Sequence, residues 1–162
     1  MADSSFDIVS KIDQMELDNA FNQCDREIAT RYDFKNTGVK VEKTGVKVLI
    51  EADTEERVKA ALDVFKDKLV KRSVSLKHLE SSEPQLSGKT YRINCEFKEG
   101  ITTENAKKIA KFLKESGPKS LKTQIQGDEL RVSSKSRDDL QAAIAQVKKE
   151  SWDFAVQFTN YR

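Results

Sequence analysis

One histidine, two cysteines and scattered hydroxyls are what this chain offers to catalysis by a nucleophile or a metal. His78 is the single histidine, so a triad would rest on one residue at a strand edge, and no serine stands in a nucleophile elbow. Its setting reads as an exposed surface position. Cys24, Cys95 and His78 have no metal-ligand spacing. The adjacent carboxylates Glu55-Glu56 and Asp138-Asp139 fall in first helical turns, where attraction to the helix dipole accounts for them. Ser87-Gly88-Lys89-Thr90 ends like a phosphate-binding loop. That motif needs a glycine five residues before Gly88, where this chain has Glu83, and it opens a helix where a strand follows here. The chain therefore reads as a non-enzyme, with no cofactor and no metal.

Anion binding has more to work with. Lys107, Lys111 and Lys114 lie along one outward helix stripe, the pattern of a solvated face. Lys68, Lys71 and Arg72 end another helix, where cations favour the dipole. Arg131, Lys135 and Arg137 span the last hairpin and the start of the last helix. Lys135, Arg137 and the free amides at Ser136 combine the usual ingredients of a phosphate site, although capping alone also explains them. The aromatic stacking signature of RNA-recognition modules is missing: residues 46–50 and 130–134 contain no aromatic. Tyr91 and Phe97 share a face with Ile93 and Cys95 and read as core. A bound nucleotide or RNA would be held by charges, amides and hydroxyls.

Composition narrows the setting. The chain has 162 residues, 35% of them charged, and a net charge of +2. Residues 1–84 carry 14 Lys plus Arg against 17 Asp plus Glu, and residues 85–162 carry 15 against 10, so the second half is better suited to an anionic partner. Cys24 and Cys95 fall on apolar faces and read as buried thiols of a reducing compartment, without a bridge. No apolar run approaches the roughly 18 residues of a membrane span. The start, Met1-Ala2-Asp3-Ser4-Ser5, lacks the basic and apolar stretches of a secretory signal. These features point to a cytoplasmic protein with no membrane contact.

The elements that would position these groups follow from periodicity. Residues 6–12 alternate as a strand with Phe6 and Ile8 on one face. Leu17, Phe21, Cys24 and Ile28 recur at helical spacing over residues 15–32. Val39 and Val41, then Val46, Val48 and Ile50, flank a hairpin at Gly45. Asp53 and Glu56 resemble a capping box for a helix through Lys71 that buries Val58, Ala61, Leu62, Phe65 and Leu69. Residues 73–79 alternate as a strand, and residues 81–88, polar with Pro84 and Gly88, read as a linker. Residues 91–97 form a strand, Thr102 or Thr103 caps a helix through Ser116, residues 121–125 and 130–132 pair across Gly127-Asp128, Ser136 and Asp139 open the last helix, and residues 154–158 close the chain. Residues 48–76 lie on 130–158 at a constant offset of 82 with apolar matched to apolar, which suggests a duplicated unit. The fold class is α+β: a tandem of two ferredoxin-like (RNP-like) βαββαβ domains, 1–84 and 85–162.

Beyond these patterns, the chain resembles the bacterial YajQ family of nucleotide-binding proteins over nearly its whole length. The matching motifs are Ser5-Phe6-Asp7-Ile8-Val9-Ser10, Arg31-Tyr32-Asp33-Phe34, Lys68-Leu69-Val70-Lys71-Arg72, Ser87-Gly88-Lys89-Thr90, Ile125-Gln126-Gly127-Asp128-Glu129-Leu130-Arg131-Val132, Lys135-Ser136-Arg137-Asp138-Asp139-Leu140-Gln141 and Gln157-Phe158-Thr159-Asn160-Tyr161-Arg162. The resemblance implies an exchange of first strands, with 6–12 completing the second sheet and 91–97 the first. It implies a non-enzymatic nucleotide-binding protein, a cyclic di-GMP effector or regulator in some members. RNA binding and an adaptor role toward a protein such as a transcription regulator are the alternatives. The ligand residues expected on this reading are Arg31, Asp33, Phe34, Lys71, Arg72, Arg131, Lys135 and Arg137, the cations on phosphates and Phe34 stacked on a base. Arg31, Asp33 and Phe34 read equally as a structural corner. Ser73 and Ser134 stand where the resemblance leads one to expect glycine, leaving a Cβ where close backbone approach would need none.

Overall fold

The computed structural model describes residues 3–162. Met1 and Ala2, part of the start read above as lacking a secretory signal, lie outside them. The chain forms two compact units, Ile12–Lys98 and a second in which Glu99–Arg162 is joined by the residues up to Lys11. Along the chain come β1 (Ser4–Val9), α1 (Gln14–Thr30), β2 (Lys40–Thr44), β3 (Lys47–Ala52), α2 (Glu55–Lys71), β4 (Leu79–Ser81), β5 (Gln85–Ser87) and β6 (Thr90–Phe97). Then follow α3 (Thr103–Ser116), β7 (Lys122–Gln126), β8 (Glu129–Ser134), α4 (Arg137–Lys149) and β9 (Gln157–Thr159). One sheet has the order β7-β8-β1-β9 and the other β2-β3-β6-β4, with β5 also on β6. All pairings are antiparallel. The first strand of each βαββαβ run thus serves the other run's sheet: β1 lies against β8, and β6 against β3. This is an α+β tandem of two ferredoxin-like folds with exchanged first strands.

Local chemistry explains each element. Leu17, Ala20, Cys24 and Ile28 give α1 one apolar face, and the Asp13 carboxylate accepts the amides of Met15 and Glu16 to start it. α2 opens on Thr54, whose hydroxyl accepts from the Arg57 amide. The expected Asp53 box is replaced, and Asp53 instead lies 3.3 Å from Arg57 Nη1. Gly45 and Gly127, at φ +61° and +59°, supply the left-handed residue that two-residue hairpins need. In Ile12–Lys98 the core joins Val48, Ile50, Ile93 and Phe97 to Leu17, Phe65 and Leu69; in the other unit Phe6, Ile8, Leu130 and Val132 pack under Ile109, Leu113 and Ile144. Burying side chains of this size contributes roughly 1.5–3 kcal/mol each. Cys24 and Cys95 are buried free thiols, and burial pushes them up to about 12 and about 11.

Four expectations are corrected. The strand expected over 73–79 is a chain reversal followed by a single 3-10 turn, Leu76–His78. That turn carries His78 inward, so it is 3% exposed rather than a surface residue, with Nδ1 3.0 Å from the Lys98 carbonyl oxygen. The stretch 81–88 is not a bare linker: β4 and β5 line the same edge of β6, and Ser82 bridges the gap by donating its amide to Asn94 O and accepting the Asn94 amide. The closing strand is shorter than 154–158 suggested, because Phe154 and Val156 pack on the core from irregular chain. Among the described residues no helix is long and apolar enough to cross a membrane.

Candidate functional site

The eight residues expected to hold a ligand do not converge. Arg31 follows α1, and Tyr32–Phe34 is a 3-10 turn, so the side chains at 31 and 33 fall on one side of a tight corner. Arg31 donates through Nε and Nη2 to Asp33 at 2.9 and 2.6 Å, approaches Glu27 at 3.6 Å, and sits 4.8 Å from the Phe34 ring centre. Hydrogen bonding to Arg31 holds the Asp33 carboxyl below its usual range. Phe34 is 5% exposed and belongs to the core, so its ring has no free face for a base. The geometry is that of a structural corner.

Lys71 and Arg72 are also engaged within their unit. Lys71 pairs with Asp67 at 3.1 Å one turn earlier on α2. Arg72 reaches Glu16 on α1 at 3.6 Å, and Lys68 reaches Glu27 at 2.9 Å with its side chain only 12% exposed. These cations tie α2 to α1. A cavity of about 660 Å³ lies on the open face of this unit's sheet, and its charged lining is Glu42, Glu80, Glu96 and Lys47, without an aromatic. Such a face repels phosphate.

Arg131 answers a buried carboxylate. It is the cross-strand partner of Asp7, which is 2% exposed, and donates to it from Nε at 3.0 Å and Nη2 at 3.5 Å; Asn160 Nδ2 adds a third bond at 2.9 Å. Burial alone would raise the Asp7 carboxyl. The hydrogen bonds from Arg131 and Asn160 and the charges of Arg131 and Arg162 outweigh it, and the group lies below its usual range.

The start of α4 fills itself. Ser136 Oγ accepts the Asp139 amide, the Ser136 amide donates to Ser134 Oγ, and Ser120 Oγ lies 2.6 Å from both Ser134 Oγ and Asp139 Oδ2. With Asp138 and Asp139 in the first turn, negative charge already occupies the dipole's positive end. The expected phosphate cradle at Ser136 is therefore taken by the protein's own groups. Lys135 and Arg137 are both exposed, and Arg137 turns to a different place.

That place is a groove of about 280 Å³ between the first turns of α4 and the chain's last residues. Phe6, Leu140 and Ile144 form its floor, and Arg137, Tyr161 and Arg162 its polar wall. The tail is fixed there because Ser5 and Arg162 exchange backbone hydrogen bonds of 3.2 and 2.9 Å. Tyr161 is 60% exposed, with its ring 6.4 Å from that of Phe6. An exposed aromatic over an apolar floor, with Arg137 beside it, can stack a planar base and pair phosphate oxygens. Ser4 and Ser5 are its hydroxyls, and no carboxylate or imidazole side chain lines it to activate them. Sequence reading found Arg137 but not Tyr161 or Arg162, whose only signal was an aromatic beside a cation after the last strand.

Comparisons with known proteins bear on the chain as a whole. A nucleotide-binding protein of Streptomyces griseus is 62% identical over 162 residues, covering all of both chains. Nucleotide-binding proteins of Mycobacterium tuberculosis and of a Nocardioides species are 59% and 63% identical over 163 aligned positions, again over the full length of both. The family model described as nucleotide-binding protein YajQ-like matches residues 4–162, and the chain belongs to that family.

Proposed function

We propose that this chain binds a nucleotide or one half of a cyclic dinucleotide such as cyclic di-GMP in the groove of Arg137, Tyr161 and Arg162. It does so without turnover and passes the occupied state to a protein partner, such as a transcription regulator, in the cytoplasm. The carrying observation is the exposed Tyr161 ring with Arg137 over the floor of Phe6, Leu140 and Ile144. A base on Tyr161 would cover apolar surface, and Arg137 would meet a phosphate bidentately. At about 280 Å³ the groove is at the small end for ligand sites, which suits one nucleotide unit.

Titration calorimetry with cyclic di-GMP, GTP and ATP beside a short RNA tests this. Saturable one-to-one binding of a small ligand with slight salt dependence is the expected result, weakened roughly tenfold or more by Arg137→Ala. No small-ligand binding at about 50 µM, or equal binding by the variant, sinks it. Binding of RNA alone with a steep salt slope would mark a phosphate surface instead.

A further inference from the structure

β7 is the outermost strand of its sheet, and Lys122, Thr123, Gln124 and Ile125 are all exposed, Ile125 by 38%. Gly127 and Asp128 form a two-residue turn, so Gln126 and Glu129 are the closing hydrogen-bonded pair. Pairing alternates along an antiparallel ladder, so Gln124 and Lys122 also bond to β8, while Thr123 and Ile125 turn their amides and carbonyls outward. Edges are usually blunted by lysines, proline, bulges or a covering segment, and of these β7 has one lysine at its start, Lys122. The opposite unit's β4–β5 edge is interrupted at Ser82-Glu83-Pro84, whereas β7 is continuous.

Beside this edge, α3 leaves a groove of about 600 Å³. Ala110, Leu113 and Leu121 give it an apolar floor, Lys111, Lys114 and Lys119 a cationic rim, and no carboxylate lines it. Thr123 points into it, and Ile125 shares that strand face. We infer that β7 accepts an extended acidic peptide as an added strand. The peptide's backbone pairs with Thr123 and Ile125, one apolar side chain enters the groove, and carboxylates two residues to either side meet Lys111, Lys114 and Lys119. Lysines alone would serve any polyanion; the unfilled backbone beside them selects a polypeptide.

The test uses the full chain and a labelled peptide, acetyl-Thr-Glu-Thr-Leu-Thr-Glu-Thr-amide, whose Glu, Leu and Glu share one strand face. Fluorescence anisotropy is expected to saturate. Lys111→Glu with Lys114→Glu weakens binding at least about tenfold, since like charges then meet across the groove. Thr123→Pro, which removes an outward amide and leaves the β8 ladder intact, does the same. Arg137→Ala leaves peptide affinity unchanged, separating this surface from the nucleotide groove. Peptide binding also slows hydrogen exchange at the Thr123 and Ile125 amides in the unsubstituted protein, which decides the matter should Thr123→Pro fail to fold. Affinity indifferent to a folded Thr123→Pro, or no added protection at Ile125, overturns the inference. So does an oligouridylate that binds more tightly than the peptide, is lost with the lysine reversals and ignores Thr123→Pro.

Discussion

The hairpins at residues 40–52 and 122–134 stand 82 positions apart, share a left-handed glycine at the turn, and put the same strand at a sheet edge, yet only in one are the edge side chains engaged. Val41 is buried against α1, and Lys43 is bound by Asp18 at 3.0 Å. Their counterparts Thr123 and Ile125 lie open beside α3. The sheet centres differ likewise. Arg131 faces the buried Asp7, whereas at the matching place Leu49 faces Asn94. Topology in such a duplicated fold is kept by turns and inward apolar residues. The outward positions are free to diverge, and here they give one unit a buried charge pair and an open edge.

The largest expected effect comes from breaking the pair that only one unit has. Arg131→Met leaves the buried Asp7 carboxylate with the Asn160 hydrogen bond but without its ion-pair partner, at a cost of about 3 kcal/mol read by urea unfolding at neutral pH. The same pair makes the unit acid-sensitive. The Asp7 carboxyl is depressed below 3.8 in the fold, so its stabilisation is whole above that value and is lost as pH falls further through the folded value. In Ile12–Lys98 the depressed carboxyls of Glu27 and Asp33 are at the surface, where pairing contributes less. Two built-in reporters separate the units: Trp152, the one tryptophan, packs on Phe112 in the unit that holds Asp7 and Arg131, and both buried thiols are in Ile12–Lys98. On acidification, Trp152 fluorescence should change while Cys24 and Cys95 still resist a thiol reagent that works in acid. Simultaneous loss of both signals would count against the assignment.

A smaller effect tests the edges by exchanging their side chains. Val41→Thr places a hydroxyl in a buried apolar site and should cost about 1–2 kcal/mol. Thr123→Val, on the open edge, should stay within about 0.5 kcal/mol of zero. Equal costs would mean that the two edges are covered alike.

What was legible in the sequence follows this division. Helices read correctly because Leu17, Cys24 and Ile28, or Val58, Phe65 and Leu69, encode burial locally at helical spacing. The exchange of β1 and β6 came only from family resemblance, because a strand's alternation does not name its partner. Phe34 and His78 misled because each lies in a 3-10 turn, where no helical or strand period announces which way a side chain faces; Phe34 turns into the core and His78 toward the Lys98 carbonyl twenty residues on. Arg131 looked like a free cation because its carboxylate lies 124 residues away. The groove stayed hidden since Tyr161 and Arg162 join Arg137 only when the tail bonds to Ser5.

The smallest effect concerns how the second helix of each run ends. α4 stops with Glu150 in extended backbone, while α2 ends in a reversal where Val74 N bonds to Leu69 O at 2.9 Å and Ser73 N to Val70 O at 3.0 Å. That pattern requires a left-handed residue, and Ser73 supplies it at φ +61°. A side chain there costs about 1–2 kcal/mol. Glycine removes that strain but gains freedom in the unfolded chain, which takes back about 0.5–1 kcal/mol. Ser73→Gly should therefore stabilise by about 0.5 kcal/mol and raise the melting temperature by roughly 1–2 °C, with Ser73→Ala giving no such gain. A lower melting temperature for Ser73→Gly would show that the serine side chain contributes an interaction which outweighs its backbone strain.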